Sequence, residues 1–395
     1  MNFHQVETYL DSLKDKFDVR CTDCIVLHQH QQVFRHLTGT ADYNDTKPLT
    51  EQNLHDIFSA SKVLTMIAVM QLAEQGKLDL EGELAKYLPE YAEMRVIKDF
   101  DLTDFVSHAK FLFGWPGEHQ EETLPAEGKI RIRHLMSMTS GMTYQFHSPA
   151  VRALLVDHPH ASTREIVRAW ASDPLMFEPD TRYAYSRAHD VLGAVIEEVS
   201  GLRFSDYMKK HVFGPCGAEE LYYQIPESKR SLLTALYNVN LKTGQHEEAK
   251  SNLCRVTDQF ESGGGGICCT VEDYAKVLDA LANDGVAANG NRILTPQSIT
   301  KISTNRLNEQ QLKDFHIGGK LEYGYGLGVR TLMDATASRS PIGEFGWDGA
   351  AGAYVLADPK NHLAVFYVQA AKDSGKAFSD IHPTLRDLIY EALEG

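Results

Sequence analysis

Apolar residues recur at helical spacing from the first residues of the chain. Phe3, Val6, Leu10 and Leu13 fall on one face, with acids and lysines between them, which predicts an amphipathic helix. Residues 24–39 form two strand-like runs around a polar middle and predict a hairpin. From Ser59 to Gln75 the period returns to helical. Val63, Ile67 and Met70 share a face, Leu64, Ala68 and Leu72 lie beside it, and Gly76 is placed to end the helix. Further on, Val191, Val195 and Val199 recur every fourth residue before Gly201. A helix over 270–285 opens with Thr270 as N-cap and Asp273 three residues later. Near the end, "GAYVLADPKNHLAVFYVQA" reads as two strands joined by an Asp-Pro-Lys-Asn turn, followed by an amphipathic helix over 381–393.

Strands therefore sit at both ends and helical signals fill residues 90–310. This order predicts an α+β fold: an antiparallel sheet built from both termini and flanked by helices, with a mostly helical lobe inserted. The expected division is 1–90 with 311–395 as one discontinuous lobe and 91–310 as the other, with an active site in the crevice between them.

Composition narrows the partners. The chain has 395 residues and a formal net charge of −15, so nucleic acid and anionic membranes are not expected to bind. No stretch reaches the ~18 apolar residues of a membrane span. The first helix lacks the unbroken apolar core of a signal peptide, so a cytoplasmic location with six reduced thiols is expected. Cys21-Thr22-Asp23-Cys24 enters a strand and has no second such pair, so it reads as two buried thiols and not as a metal site. No pattern speaks to oligomeric state.

The candidate chemistry lies in "FSASKVLT", residues 58–65. Ser59 and Lys62 stand three apart at the start of an apolar helix, on one helical face. Free backbone N–H groups and positive potential at that end suit a developing oxyanion. To accept a proton from serine, Lys62 must be neutral or share the task with a tyrosine of similar reference pKa. A second Ser-x-x-Lys, Ser298 to Lys301, lies in an apparent surface helix without an apolar wall. The chain has no G-x-S-x-G elbow, no H-E-x-x-H and no P-loop. His28-x-His30 and His158-x-His160 read as solvated side chains, and "ESGGGGICC" (261–269) reads as a flexible turn.

These residues, with five later landmarks in order, resemble the serine β-lactamase-like superfamily in its class C branch, which includes family VIII carboxylesterases and related acyltransferases. The landmarks are "IRIRHLMSMTSGM" (130–142), "FEPDTRYAYSRAHDVLGAVIEEVSG", "ESGGGGICCTVEDYAKVLDAL", "YGYGLGV" (323–329) and "GWDGAAGAYVLADPKNHLAVFY". The resemblance implies Ser59 as nucleophile, Lys62 as its partner and Tyr185 as the tyrosine of the Tyr-x-Asn motif. It implies Trp347-Asp348-Gly349 in place of Lys-Thr-Gly, with Gly349 allowing close approach of the substrate. The N–H groups of Ser59 and Ala350 would form the oxyanion hole. Arg187 stands where Asn is common, adding a cation to the substrate wall. Tyr183 and Met138 read as packing. Lys242-Thr243-Gly244 reads as a hairpin turn, and 91–128 is longer than the family's usual connection.

The resemblance implies a serine hydrolase of small esters or amides, with no metal or organic cofactor. A β-lactamase or D-amino-acid peptidase is the alternative, and a non-catalytic binding protein on the same fold is the third reading. Expected partners are small-molecule esters, amides or β-lactams.

Overall fold

The computed structural model describes residues 1–102, 122–239, 246–249, 252, 254–372 and 374–394. Lys242-Thr243-Gly244, and 103–121 of the long connection, lie outside the described residues. Of that connection, Arg95–Ile97 pairs with Thr123–Pro125 in a two-stranded ribbon.

The amphipathic start is helix α1 (His4–Phe17), with Val6, Leu10 and Leu13 buried. Strands β1 (Cys21–His28) and β2 (Gln31–Gly39) form the predicted hairpin. Helix α2 (Ser61–Glu74) follows a 3₁₀ turn at Phe58–Ala60, and Gly76 ends the segment with φ +67°. Helix α3 (Ala188–Ser200) stops at left-handed Gly201. Helix α4 (Val271–Ala282) is capped by Thr270, which accepts from the Asp273 N–H. Strands β3 (Tyr323–Tyr325), β4 (Arg330–Leu332), β5 (Phe345–Gly346), β6 (Tyr354–Asp358) and β7 (Leu363–Gln369) follow, then helix α5 (His382–Glu394).

The main sheet has seven antiparallel strands in the order β3-β4-β5-β6-β7-β1-β2. The early hairpin thus completes a sheet begun by the late strands, with Ile25 opposite Phe366. Alternation along each strand divides two cores. Cys24, Val26, Val365 and Tyr367 pack with Val6 and Leu10 of α1 and Leu385 and Ile389 of α5. Ile25, Ala364 and Phe366 face the other way, where Tyr274 of α4 stacks on Phe366 at 4.0 Å.

This is the expected mixed α+β arrangement, with one difference at the lobe boundary. Helix α4 falls within 91–310 yet packs on the sheet. Its pattern of buried residues is that of any core helix, so its local sequence does not say which layer it joins.

Helix α2 is buried on every side from Ser61 to Leu72, as an all-round apolar helix must be. It packs against α3 and the helix Pro296–Ser303. Among the described residues no helix is long and apolar enough to cross a membrane.

Candidate active site

Phe58 has φ +46°, in the left-handed region that bulky residues avoid. Such a backbone costs on the order of 1–3 kcal/mol and persists only where its surroundings enforce it. Here Ile57 donates its N–H to Ile267 O at 3.2 Å, and the Tyr274 hydroxyl donates to Ala60 O at 2.9 Å. Gly349 presses from the other side: a Cβ there would lie 2.2 Å from Ile57 O. Gly349 thus lets the end of the sheet approach the serine turn. The resulting bend sets Ser59 at the start of α2.

Ser59 Oγ accepts from the Tyr185 hydroxyl at 2.7 Å and from Lys62 Nζ at 3.3 Å. Lys62 is fully buried. Its Nζ also donates to Gly264 O at 2.6 Å and lies 4.6 Å from the Tyr185 ring centroid. Trp347 stacks on Tyr185 with centroids 5.7 Å apart and donates its indole N–H to the Tyr185 hydroxyl at 3.3 Å. Tyr325 meets Trp347 edge-on at 5.1 Å. The fold therefore brings Ser59, Lys62, Tyr185, Trp347 and Gly349 together. Ala350 is exposed in the turn beyond Gly349, which the Gly352 N–H closes onto Gly349 O.

The glycine run is not the expected flexible turn. Gly263 through Gly266 are buried, and a Cβ at Gly263, Gly264 or Gly265 would fall within 2.6 Å of another atom. Gly263 O accepts from Thr65 and Gly264 O from Lys62. The loop presents its carbonyl oxygens to the Thr65 hydroxyl and Lys62 Nζ, and no phosphate-loop lysine accompanies it.

Two expected substrate contacts are corrected. Arg187 is buried; its guanidinium pairs with Asp173 at 2.7 Å, bonds Gln145 O and lies over the Trp170 ring at 4.7 Å. It is neither brought to Ser59 nor paired with Asp348. Asp348 is paired instead with Lys320 at 2.6 Å and Arg330 at 3.1 Å. Burial pushes its carboxyl up, and Arg330 and Lys320 more than reverse this, holding it well below the usual carboxylate range. Asp348 thus lies in a buried ionic network.

The remaining expectations concern packing. Tyr183 is buried edge-on against Phe315 and Tyr325, and Met138 is fully buried. Ser298 sits in the first turn of its helix, where its N–H meets the Thr295 hydroxyl. The six cysteines are free and buried, and burial pushes the Cys21 thiol up to about 12. His158 and His160 are exposed, whereas His30 bonds Asp279 at 2.6 Å. Among the described residues no cluster of His, Cys, Asp and Glu could hold a metal ion.

Three participants escape sequence reasoning. Tyr144 lies 5.2 Å from the Tyr185 ring and 5.7 Å from Lys62 Nζ, centroid to atom, and its hydroxyl interacts with the Ser59 side chain. Its place just after the Thr-Ser-Gly turn was the available signal. Gly264 acts through a carbonyl and so leaves no side-chain trace. Asp190 lies in the first turn of α3, where an acid reads as an ordinary helix-start residue.

The arrangement can do acyl-transfer chemistry: a serine at a helix start, two proton-bearing groups on its oxygen, and an aromatic wall beside it. Comparison with known proteins identifies the family and the fold. The family model described as Beta-lactamase matches residues 13–388. Protein Rv1367c of Mycobacterium tuberculosis (strain ATCC 25618 / H37Rv) is 26% identical over 339 residues, covering 84% of this chain and 80% of that protein. Lovastatin esterase of Penicillium rubens is 27% identical over 365 residues, covering 86% of each. The solved structure of EstCE1, described as a hydrolase with promiscuous acyltransferase activity, superposes with a TM-score of 0.77 at 20% identity, covering 99% of this chain and 98% of that one. The fold is thus β-lactamase/transpeptidase-like, and the chain belongs to the Beta-lactamase family.

Proposed function

We propose that this protein is a serine hydrolase that cleaves small, neutral esters through an acyl-enzyme on Ser59. The observation that carries this reading is the position of Ser59 Oγ between the Tyr185 hydroxyl and Lys62 Nζ. Ser59 Oγ attacks the ester carbonyl carbon, and its proton passes to the coupled Tyr185–Lys62 pair, which serves as base in the form that has lost one proton. The N–H groups of Ser59 and Ala350 receive the oxyanion. The C–O bond to the alcohol breaks, and the pair returns the proton to that alcohol. Water then attacks the acyl-enzyme carbonyl, gives a proton to the pair and releases the acid as the proton returns to Ser59. A second alcohol in place of water makes the same cycle an acyl transfer, a reading favoured by the described activity of EstCE1.

The neutral preference rests on Trp347, which offers apolar surface and one N–H where relatives with Lys-Thr-Gly offer a cation. Arg187 and Asp348 are engaged elsewhere and neither attracts nor repels a substrate. The free, buried cysteines support a cytoplasmic location.

Fluorophosphonate labelling read by intact mass tests the nucleophile. Wild type and Ser298→Ala should each gain one adduct, and Ser59→Ala none. A labelled and active Ser59→Ala variant overturns the mechanism. An unlabelled, inactive wild type favours the non-catalytic reading. Neutral aryl esters, carboxylate-bearing β-lactams and D-Ala peptides assayed on one preparation then rank the substrate classes.

A further inference from the structure

Beneath Lys62 lies a second buried charge. Asp190 is fully buried on α3. Its Oδ1 accepts from the Ser262 hydroxyl and from the Gly264 N–H at 3.1 Å. Gly264 in turn gives its carbonyl to Lys62 Nζ at 2.6 Å. A Cβ on Gly264 would lie 2.6 Å from Asp190 Oδ2, so only glycine lets carboxylate and backbone come this close. Asp190 Oδ2 is buried without a hydrogen-bond partner.

The geometry points to Asp190 as the positioning residue of the serine site: it shapes the Gly263–Gly266 loop, and its buried carboxylate sets the pH at which the Tyr185–Lys62 pair gives up the proton it must lose before it can take one from Ser59. This rests on the proposed role of Ser59 and adds to it a residue that never touches the substrate.

The other groups around Lys62 leave this role to Asp190. His189, beside it on α3, is pushed well below its ordinary range by burial and then by Lys62, so it stays neutral. Burial pushes the Cys254 thiol up to about 12 and the Tyr144 hydroxyl well above its usual value, so both stay protonated. Tyr185 and Ser59 complete the shell, and Arg187, which also acts on Asp190, is paired with Asp173. Burial raises the Asp190 carboxyl, and Lys62, Ser262 and Gly264 oppose that rise.

The test is the pH dependence of Ser59 labelling by a fluorophosphonate. Asp190→Asn keeps the shape and the acceptor for Ser262 and Gly264 but removes the charge. Loss of a nearby anion lowers the pKa of its neighbours, so the pH of half-maximal labelling should fall by about one unit. A purely structural role lowers the rate at every pH and leaves that midpoint in place. A folded Asp190→Asn with the wild-type midpoint overturns the inference. If Asp190→Asn does not fold, Ser262→Ala decides. It removes one hydrogen bond that keeps the carboxylate ionised and should move the midpoint down by a few tenths of a unit; an unmoved midpoint there overturns the inference. Failure of wild type to label at all refutes the Ser59 reading instead, so the two are told apart.

Discussion

Trp347 lies parallel to Tyr185, within 19°, and points its indole N–H at the same hydroxyl that bonds Ser59. One residue therefore both walls the site and donates to the proton-carrying oxygen. Trp347→Phe separates the two contributions. Losing a hydrogen bond of ~1 kcal/mol should lower kcat about fivefold, with KM little changed. Trp347→Ala also loses the ring stack, so a further several-fold loss with a raised KM is expected. Equal kinetics for the Phe and Ala variants would show that the N–H, not the ring, accounts for the whole effect.

Lys62 and Tyr185 share one serine oxygen and contact each other through the ring face. Groups that work as a unit are not additive. Lys62→Met and Tyr185→Phe should each remove most of kcat, and the double variant should be little worse than either. Losses that multiply would mean that the two act independently.

Arg187 closes a buried pair with Asp173 and takes no part in the proposed substrate wall. Arg187→Asn should cost about 3 kcal/mol of stability, because Asp173 is left without its partner. The ratio of kcat/KM for a neutral aryl ester to that for an anionic β-lactam should stay above one and unchanged. Urea unfolding and paired kinetics check both parts; a changed ratio at unchanged stability contradicts the assignment.

Stability should fall on mild acidification. Burial, with Arg35 adding to it, depresses His55 to about 3, and burial with Arg133 depresses His134 to about 4, from an ordinary 6.5. Below about pH 6.5 the unfolded chain binds protons that the folded chain refuses, so stability drops as pH falls, by up to ~1.4 kcal/mol per unit for each histidine. Asp23 opposes this. Burial raises its carboxyl to about 6, so its contribution is lost as pH rises through that value. His189 and His382, also depressed by burial, act with these two histidines, and Asp190 and Glu344, also raised by burial, act with Asp23; the histidines carry the larger effect, so unfolding free energy at about pH 5 should lie roughly 2 kcal/mol below that at about pH 7.5. Urea midpoints at the two values measure it, and a higher midpoint at the lower pH would reverse the sign.

What could be read from the chain follows a physical line. The hairpin of β1 and β2, the apolar α2 and the capped α4 were legible because each is written in local spacing and local caps. The grouping of Ser59, Lys62 and Tyr185 was legible through ordered motifs. The directions of Arg187 and Asp348 were not, because a charged side chain shows its type in sequence and its partner only in space. Lys320 stands 28 residues from Asp348, and Asp173 stands 14 from Arg187. The glycine run was misread for a related reason. Four glycines permit a flexible turn, and they equally permit a backbone packed against His189, Asp190 and Cys254.

The enclosure of α2 also governs the order in which the molecule can assemble. This helix has no polar face on which to wait in water, and its serine end is gripped by Gly264, 202 residues away from Lys62, and by Tyr185, 126 residues from Ser59. Contacts at such separation form late, after much loop-closure entropy has been lost. During refolding, helical signal should therefore return before Ser59 becomes reactive. Recovery of labelling is then a clock for the last step of folding, and partly folded chains pass through their exposed, aggregation-prone stage with the serine inert.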